Sequence, residues 1–175
     1  MFLDLLRKRR SIRKFENRPV EKEKVDQLVE AALRAPSSRG FNPWRFVLVT
    51  DPETLRGLST AKPHGASFVK NAPLAIVVCA DPSVSDVWVE DASIASIIVH
   101  LAAADLGLGS CWVQIRKRSH DSAKTAGAFI QKALNLPENL EVLSIVAIGY
   151  PAEEKAGHPA DSLQQEKVSF DAERL

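Results

Sequence analysis

From Asp86 to Leu106 the chain runs through VWVEDASIASIIVHLAAADL, a helix-length stretch rich in small residues and apolar on nearly every side, and Gly107 ends it. A surface helix needs one polar face, so a helix without one belongs in the middle of something larger. No apolar run approaches the ~20 residues of a membrane span. Met1-Phe2-Leu3-Asp4 opens without the apolar core of a signal peptide, so the chain reads as cytoplasmic, neither secreted nor inserted.

The flanking elements fit one domain built around that helix. In VEKEKVDQLVEAALRA, Val25, Leu28, Val29, Ala32 and Leu33 recur with helical spacing, and Pro36 closes the segment. RFVLVT (45–50), LAIVVCA (74–80), SCWVQI (110–115) and SIVAIG (144–149) read as buried strands. Asp51-Pro52 supplies an N-cap and a first-turn proline for a short helix to about Gly57, and a further helix is expected around Ser122 to Leu134. At 175 residues, without repeat or linker, residues 1–175 form a single domain of α+β or mixed α/β class. From about 154 onward the chain is polar, with Val168 and Phe170 as a late alternating apolar pair, and reads as an arm seeking a partner surface.

Several motifs have ordinary explanations. Gly107-Leu108-Gly109 follows a helix and precedes a strand, the reverse of a dinucleotide-binding turn, so it reads as a helix C-cap. Ser119-His120-Asp121 are adjacent and cannot align as a catalytic triad; they read as a loop leading to a helix cap. His64, His100, His120 and His158 lack metal-ligand spacing, so no metal is expected, and His100 reads as a hydrogen-bonded core histidine. Cys79 and Cys111 sit in strand-like runs as small core residues.

Two stretches remain. RKRRSIRKF, residues 7–15, places six of the 23 basic residues beside one serine, although the whole chain is balanced by 22 acidic residues. If the chain becomes extended near Arg9, then Arg9, Ser11 and Arg13 share one side and Ile12 turns to the core. Two guanidiniums and a hydroxyl would then face one phosphate-bearing ligand. A solvated basic helix start is the ordinary alternative, and a nucleic-acid or phosphate-binding module is a third, without the interleaved aromatics that nucleic acid favours. The second stretch is APSSRGFNPWRFVLV, residues 35–49, where a polar loop runs into a buried strand. Ser37, Ser38 and Asn42 could read the polar edge of a ring, or simply form a connection.

Taken together, R-R-S-I-R, A-P-S-S-x-x-x-N-P-W, the D-A-S-I-A-S helix ending in L-G-L-G-S-C-W, and I-G-Y-P-A-E resemble the FMN-dependent nitroreductase family in order and spacing across residues 9 to about 153. The resemblance implies a three-layer α+β fold with a central, mostly antiparallel sheet flanked by helices. It also implies an intertwined homodimer holding FMN at the interface, with the C-terminal arm (about 154–175) crossing to the partner. The activity implied is ping-pong oxidoreduction: NADH or NADPH as electron donor, and a nitroaromatic, quinone or related small molecule as acceptor. Specialised relatives carry out reductive dehalogenation or flavin fragmentation, but with lid insertions that this chain does not show.

Carried over by motif, Arg9, Arg10 and Ser11 resemble the phosphate and ribityl contacts, and Arg13 the cation at the flavin pyrimidine edge. A fixed cation there would favour the reduced flavin. Pro36, Ser37, Ser38 and Asn42 resemble the loop that reaches the flavin from the other subunit, and Trp112, Val113 and Gln114 the strand passing its reactive edge. The commoner family loop has asparagine where this chain has Gly40 and glutamine where it has Asn42. Of the basic residues after the G-Y-P turn, Lys155, Lys167 and Arg174, Lys167 ranks first to complete the phosphate site. No protein catalytic residue is expected, because the cofactor would carry the chemistry.

Overall fold

A computed structural model describes residues 1–170. Four strands, β1 (Trp44–Val49), β2 (Leu74–Ala80), β3 (Gly109–Gln114) and β4 (Glu141–Gly149), form one sheet in the order β1-β2-β4-β3. Every neighbouring pair is antiparallel. The two inner strands are buried on both faces, with Glu141 their only exposed residue, which is why LAIVVCA shows no polar alternation.

Helices cover both faces. On one side α2 (Lys22–Leu33) and α4 (Trp88–Asp105) pack Leu28, Ala32, Val99 and Ala103 against Leu74, Ile76, Val146 and Ile148. On the other, α3 (Pro52–Leu58) and α5 (Ala126–Ala133) pack Leu55, Leu58 and Ile130 against Val77, Ile145 and Ala147. Helix, sheet and helix make the three layers that the resemblance implied.

Local chemistry sets most boundaries as expected. The Asp51 carboxylate accepts the Thr54 N–H at 2.8 Å, and Pro52 opens α3. α2 stops at Leu33 instead of running to Ala35, since a residue before proline avoids helical backbone. The expected start of α5 at Ser122 is corrected to Ala126: Asp121 accepts the Ala123 and Lys124 N–H groups in a turn, and Thr125 then caps the helix. At the end of α4, Gly107 adopts φ +74°, and Leu108 N–H returns to the Ala103 carbonyl at 2.8 Å, a glycine-terminated cap.

The all-round apolarity of α4 divides into two faces. Ala92, Ala95, Val99 and Ala103 are buried, whereas Ile94 and Ile97 remain 39% and 44% exposed. Helix α1 (Phe2–Lys8) also leaves Phe2, Leu3 and Leu6 exposed. Among the described residues of the tail only short 3₁₀ turns form, Ala160–Ser162 and Gln165–Lys167, and Val168 and Phe170 stand in solvent. Among the described residues no helix is long and apolar enough to cross a membrane.

Candidate functional site

Helix α1 ends where Arg9 turns extended, with φ −58° and ψ 129°. Ser11 then joins the free edge of the sheet through a parallel bridge to Ser110, and Ile12 N–H donates to the Ser110 carbonyl at 3.0 Å. Ile12 is buried against Gly109, where an added Cβ would lie 2.8 Å from the isoleucine Cβ. Glycine at 109 therefore lets the basic segment approach β3, a reason for that residue separate from the helix cap at Gly107. Further along, Phe15 bridges Pro151 and Ala152 N–H donates to the Lys14 carbonyl at 2.9 Å, so residues 11–16 are strung between the start of β3 and the end of β4.

This backbone divides the basic cluster by direction. Arg9, Arg10, Ser110 and Lys155 line a cavity of about 220 Å³ above Leu108 and Gly109. Lys155 Nζ donates to the Ser11 carbonyl at 2.8 Å and pairs with Glu153 at 3.0 Å. Glu153 also accepts the Arg13 N–H at 2.6 Å, and this bond, reinforced by Lys155, holds its carboxyl down at about 2. Arg13 points elsewhere, with its guanidinium 5.8 Å from the Phe68 ring centroid and beside a second cavity of about 420 Å³ that Lys70 and Asn71 also line.

The charges are felt inside the sheet. Burial raises the pKa of the Cys111 thiol, while the positive charges of Arg13, Lys155 and Arg9 and a hydrogen bond to Ser11 oppose that rise. His100 is driven down to about 4, first by burial and then by Arg9, so it is neutral at pH 7, and its Nδ1 lies 2.7 Å from Ser110 Oγ. It is the bonded core histidine that the sequence suggested. Among the described residues no ion pair joins Arg9, Arg10 or Arg13 to a carboxylate. Unneutralised guanidiniums beside a lysine and a serine form a donor set that fits a phosphate monoester.

The remaining candidates lie apart from this cluster. On β3, Val113 is fully buried. Trp112 stacks on His100 with ring centroids 6.4 Å apart and donates to Gln114 Oε1 at 3.0 Å, and Gln114 Nε2 donates to the Arg116 carbonyl at 2.8 Å. The Pro36–Asn42 loop leads into β1, on the opposite edge of the sheet and at the opposite end of the strands from Ser110. With three strand spacings of about 4.8 Å between the edges, roughly 14 Å separates the loop from the arginines sideways alone. Within the loop, Asn42 N–H donates to Ser37 Oγ, and that hydroxyl donates to Asn42 Oδ1, both at 2.8 Å. Lys167 lies in the exposed tail turn, outside the arginine-lined cavity, and Arg174 lies outside the described residues.

Sequence reasoning passed over Glu153, Asp91 and the close approach at Gly109. The charged run E-E-K, three residues beyond the last strand, was the available signal for the first, because the chain just past a strand end is where a short segment can fold back over its neighbours.

A three-layer α+β scaffold with a phosphate-fitting cation cluster at the sheet edge defines a class of cofactor-binding proteins. Comparison with known proteins narrows the class. The profile of the Nitroreductase family matches residues 6–64 and 60–150. An FMN-dependent nitroreductase from Clostridium difficile R20291 superposes with a TM-score of 0.95 at 47% identity, covering 97% of this chain and 98% of its own. A protein of Archaeoglobus fulgidus, named provisionally as an NADH dehydrogenase/NAD(P)H nitroreductase, is 39% identical over 163 residues, 91% of this chain and 90% of its own length. The NADPH:FMN oxidoreductase of Vibrio harveyi, solved with NAD+, superposes with a TM-score of 0.82 at 25% identity, covering 97% of this chain and 76% of its own. The chain belongs to the nitroreductase family.

Proposed function

We propose that this protein is an FMN-dependent NAD(P)H oxidoreductase that works as a homodimer and reduces nitroaromatic, quinone or related small acceptors in two half-reactions. The observation that carries the reading is the cation cluster at the β3 edge, where Arg9 and Arg10 form no ion pair among the described residues while Lys155 is paired with Glu153 beside them, in a chain of this family. Arg9, Arg10 and Lys155 hold the FMN phosphate, Ser11 meets the ribityl chain, and Arg13, directed away from that cavity, serves the pyrimidine edge. FMN, when bound, supplies the chemistry of accepting hydride from a nicotinamide and passing electrons to the acceptor. The protein's part is to place charge and exclude water, and no side chain is needed as nucleophile or general base.

Two features support the dimer. The 36–42 loop and the arginine cluster lie at opposite edges and ends of one sheet, so a cofactor that uses both takes one from each chain. The exposed Ile94 and Ile97 face of α4 provides the apolar surface for the second copy, and the tail with Val168 and Phe170 crosses to it.

Mixed-subunit complementation tests this arrangement. Arg9→Ala chains and chains with a defective 36–42 loop each form dimers without a complete site. Mixed dimers would regain one intact site of the two and hence FMN binding. Dimers that regain nothing on mixing, or a monomer that binds FMN at one per chain, contradict the shared site.

A further inference from the structure

Asp91, in the first turn of α4, is 2% exposed and faces no cationic partner in any ion pair among the described residues. Its carboxylate instead accepts the Ser38 N–H at 2.8 Å through Oδ1 and the Ser85 hydroxyl at 2.9 Å through Oδ2. A buried carboxylate satisfied by two neutral donors is a costly way to fill space, and an apolar residue of similar size would serve the core at least as well. The N-terminal end of an 18-residue helix offsets part of that cost. What the carboxylate achieves is a fixed connection between α4 and the backbone of the 37–42 loop.

That loop needs such a connection. Arg39 and Asn42 adopt φ +53° and +50°, and Gly40 lies between them at +69°. Left-handed backbone at two non-glycine positions is unfavourable and persists only where the surroundings determine it. Two restraints act here: the Ser37–Asn42 hydrogen-bonded pair within the loop, and the Asp91–Ser38 bond from outside it. Of these two, the second ties the loop to α4, and Arg45 of β1 adds a longer bond, at 3.5 Å, to the Asn42 carbonyl at the loop's end.

We propose that Asp91 is a positioning residue for the flavin site: by holding the Ser38 amide it sets the strained 37–42 loop in the geometry that the partner subunit's cofactor requires. The inference rests on the reading that this loop reaches FMN. Asp91 belongs to the helix whose outer face carries Ile94 and Ile97, so the helix that offers the dimer surface also carries the loop across that interface.

The test uses the dimeric full chain, with FMN affinity and the flavin midpoint potential as readouts, because a merely structural residue leaves the potential of bound flavin unchanged. Asp91→Ala is expected to raise the FMN Kd about tenfold or more, in keeping with loss of a hydrogen bond to a charged acceptor, and to shift both the potential and the flavin absorption bands. Asp91→Asn keeps an oxygen to accept the Ser38 N–H and is expected to restore affinity and potential close to wild type. If Asp91→Ala does not fold, Ser38→Pro removes the donated N–H together with the hydroxyl, and Ser38→Ala, which keeps the N–H, is its control; Ser37 before it is already extended at φ −140° and ψ 159°, as a residue before proline should be. Ser38→Pro should then reproduce the weakened binding and the shifted potential beyond whatever Ser38→Ala produces. Folded Asp91→Ala or Ser38→Pro protein with wild-type Kd and potential overturns the proposal while leaving the FMN reading intact. A wild-type protein that binds no FMN overturns both.

Discussion

Lys155 Nζ lies 2.8 Å from the Ser11 carbonyl oxygen, so a residue after the last strand sits within the N-terminal arginine cluster of the same chain. Of the basic residues beyond the G-Y-P turn among the described residues, it is the one that lines the cavity with Arg9 and Arg10. Lys155→Ala should weaken FMN binding about tenfold or more and leave riboflavin, which lacks the phosphate, nearly unaffected. Lys167→Ala should change neither. Titration of both variants with both flavins checks this, and the reverse pattern would assign the phosphate to Lys167.

Arg13 is separated from that cavity and rests over Phe68. Arg13→Ala should lower the midpoint potential of bound flavin by about 30 mV or more, the equivalent of ~1.4 kcal/mol for a two-electron couple. Arg13→Lys should recover most of the shift by keeping the charge. Arg9→Ala should act mainly on affinity. Spectroelectrochemical titration separates the effects, and equal potentials in wild type and Arg13→Ala would remove Arg13 from the pyrimidine edge.

Gly109 and Gly127 form a controlled pair. A methyl at 109 would meet Ile12 at 2.8 Å, whereas one at 127 has nothing closer than the Thr125 hydroxyl at 3.8 Å. Gly109→Ala should therefore destabilise by about 1–3 kcal/mol and weaken FMN binding by displacing the basic segment. Gly127→Ala, inside α5, should be neutral or stabilising by up to about 1 kcal/mol. Chemical denaturation alongside FMN titration distinguishes the two.

Acid should act in two windows. His100 titrates at about 4 in the folded protein against an ordinary value of 6.5, so folding excludes a proton from it. Its contribution is complete above pH 6.5 and declines as pH falls toward 4. Glu21 and Glu153 titrate at about 2 against 4.5; the Tyr150 hydroxyl is the chief cause for the first and the Arg13 N–H for the second. Their contribution is complete above pH 4.5 and is lost as pH falls toward 2. His100→Asn, which keeps a polar partner for Ser110, should flatten stability against pH in the upper window alone. Tyr150→Phe should flatten it in the lower one, as read from denaturation midpoints.

The strands and most helices were legible because their signals are local: LAIVVCA is β2 residue for residue, and Asp51-Pro52 opens α3 as its chemistry requires. Contacts between residues distant in sequence were not legible. Nothing in G-L-G indicates that Ile12 will occupy the space beside Gly109, and nothing in E-D-A-S indicates that Asp91 will hold Ser38 53 positions away. In RKRRSIRKF the inward turn of Ile12 was legible, but the expected sharing of one side by Arg9 and Arg13 is corrected: Arg9 and Arg10 line one cavity and Arg13 another, because the segment is only bridged at single residues to the sheet and does not keep a regular strand alternation. The contact of Lys155 with the Ser11 carbonyl was hidden because it depends on how the chain folds back after β4.

Anaerobic addition of NADH and NADPH to the purified protein, followed by a nitroaromatic or quinone acceptor, tests the central claim most directly. A yellow protein whose flavin absorption near 450 nm bleaches with NADH or NADPH and returns with the acceptor is the outcome this account predicts, on the general spectroscopy of a flavin cofactor. A colourless protein that takes up no added FMN, or bound flavin that neither nucleotide reduces, would contradict it.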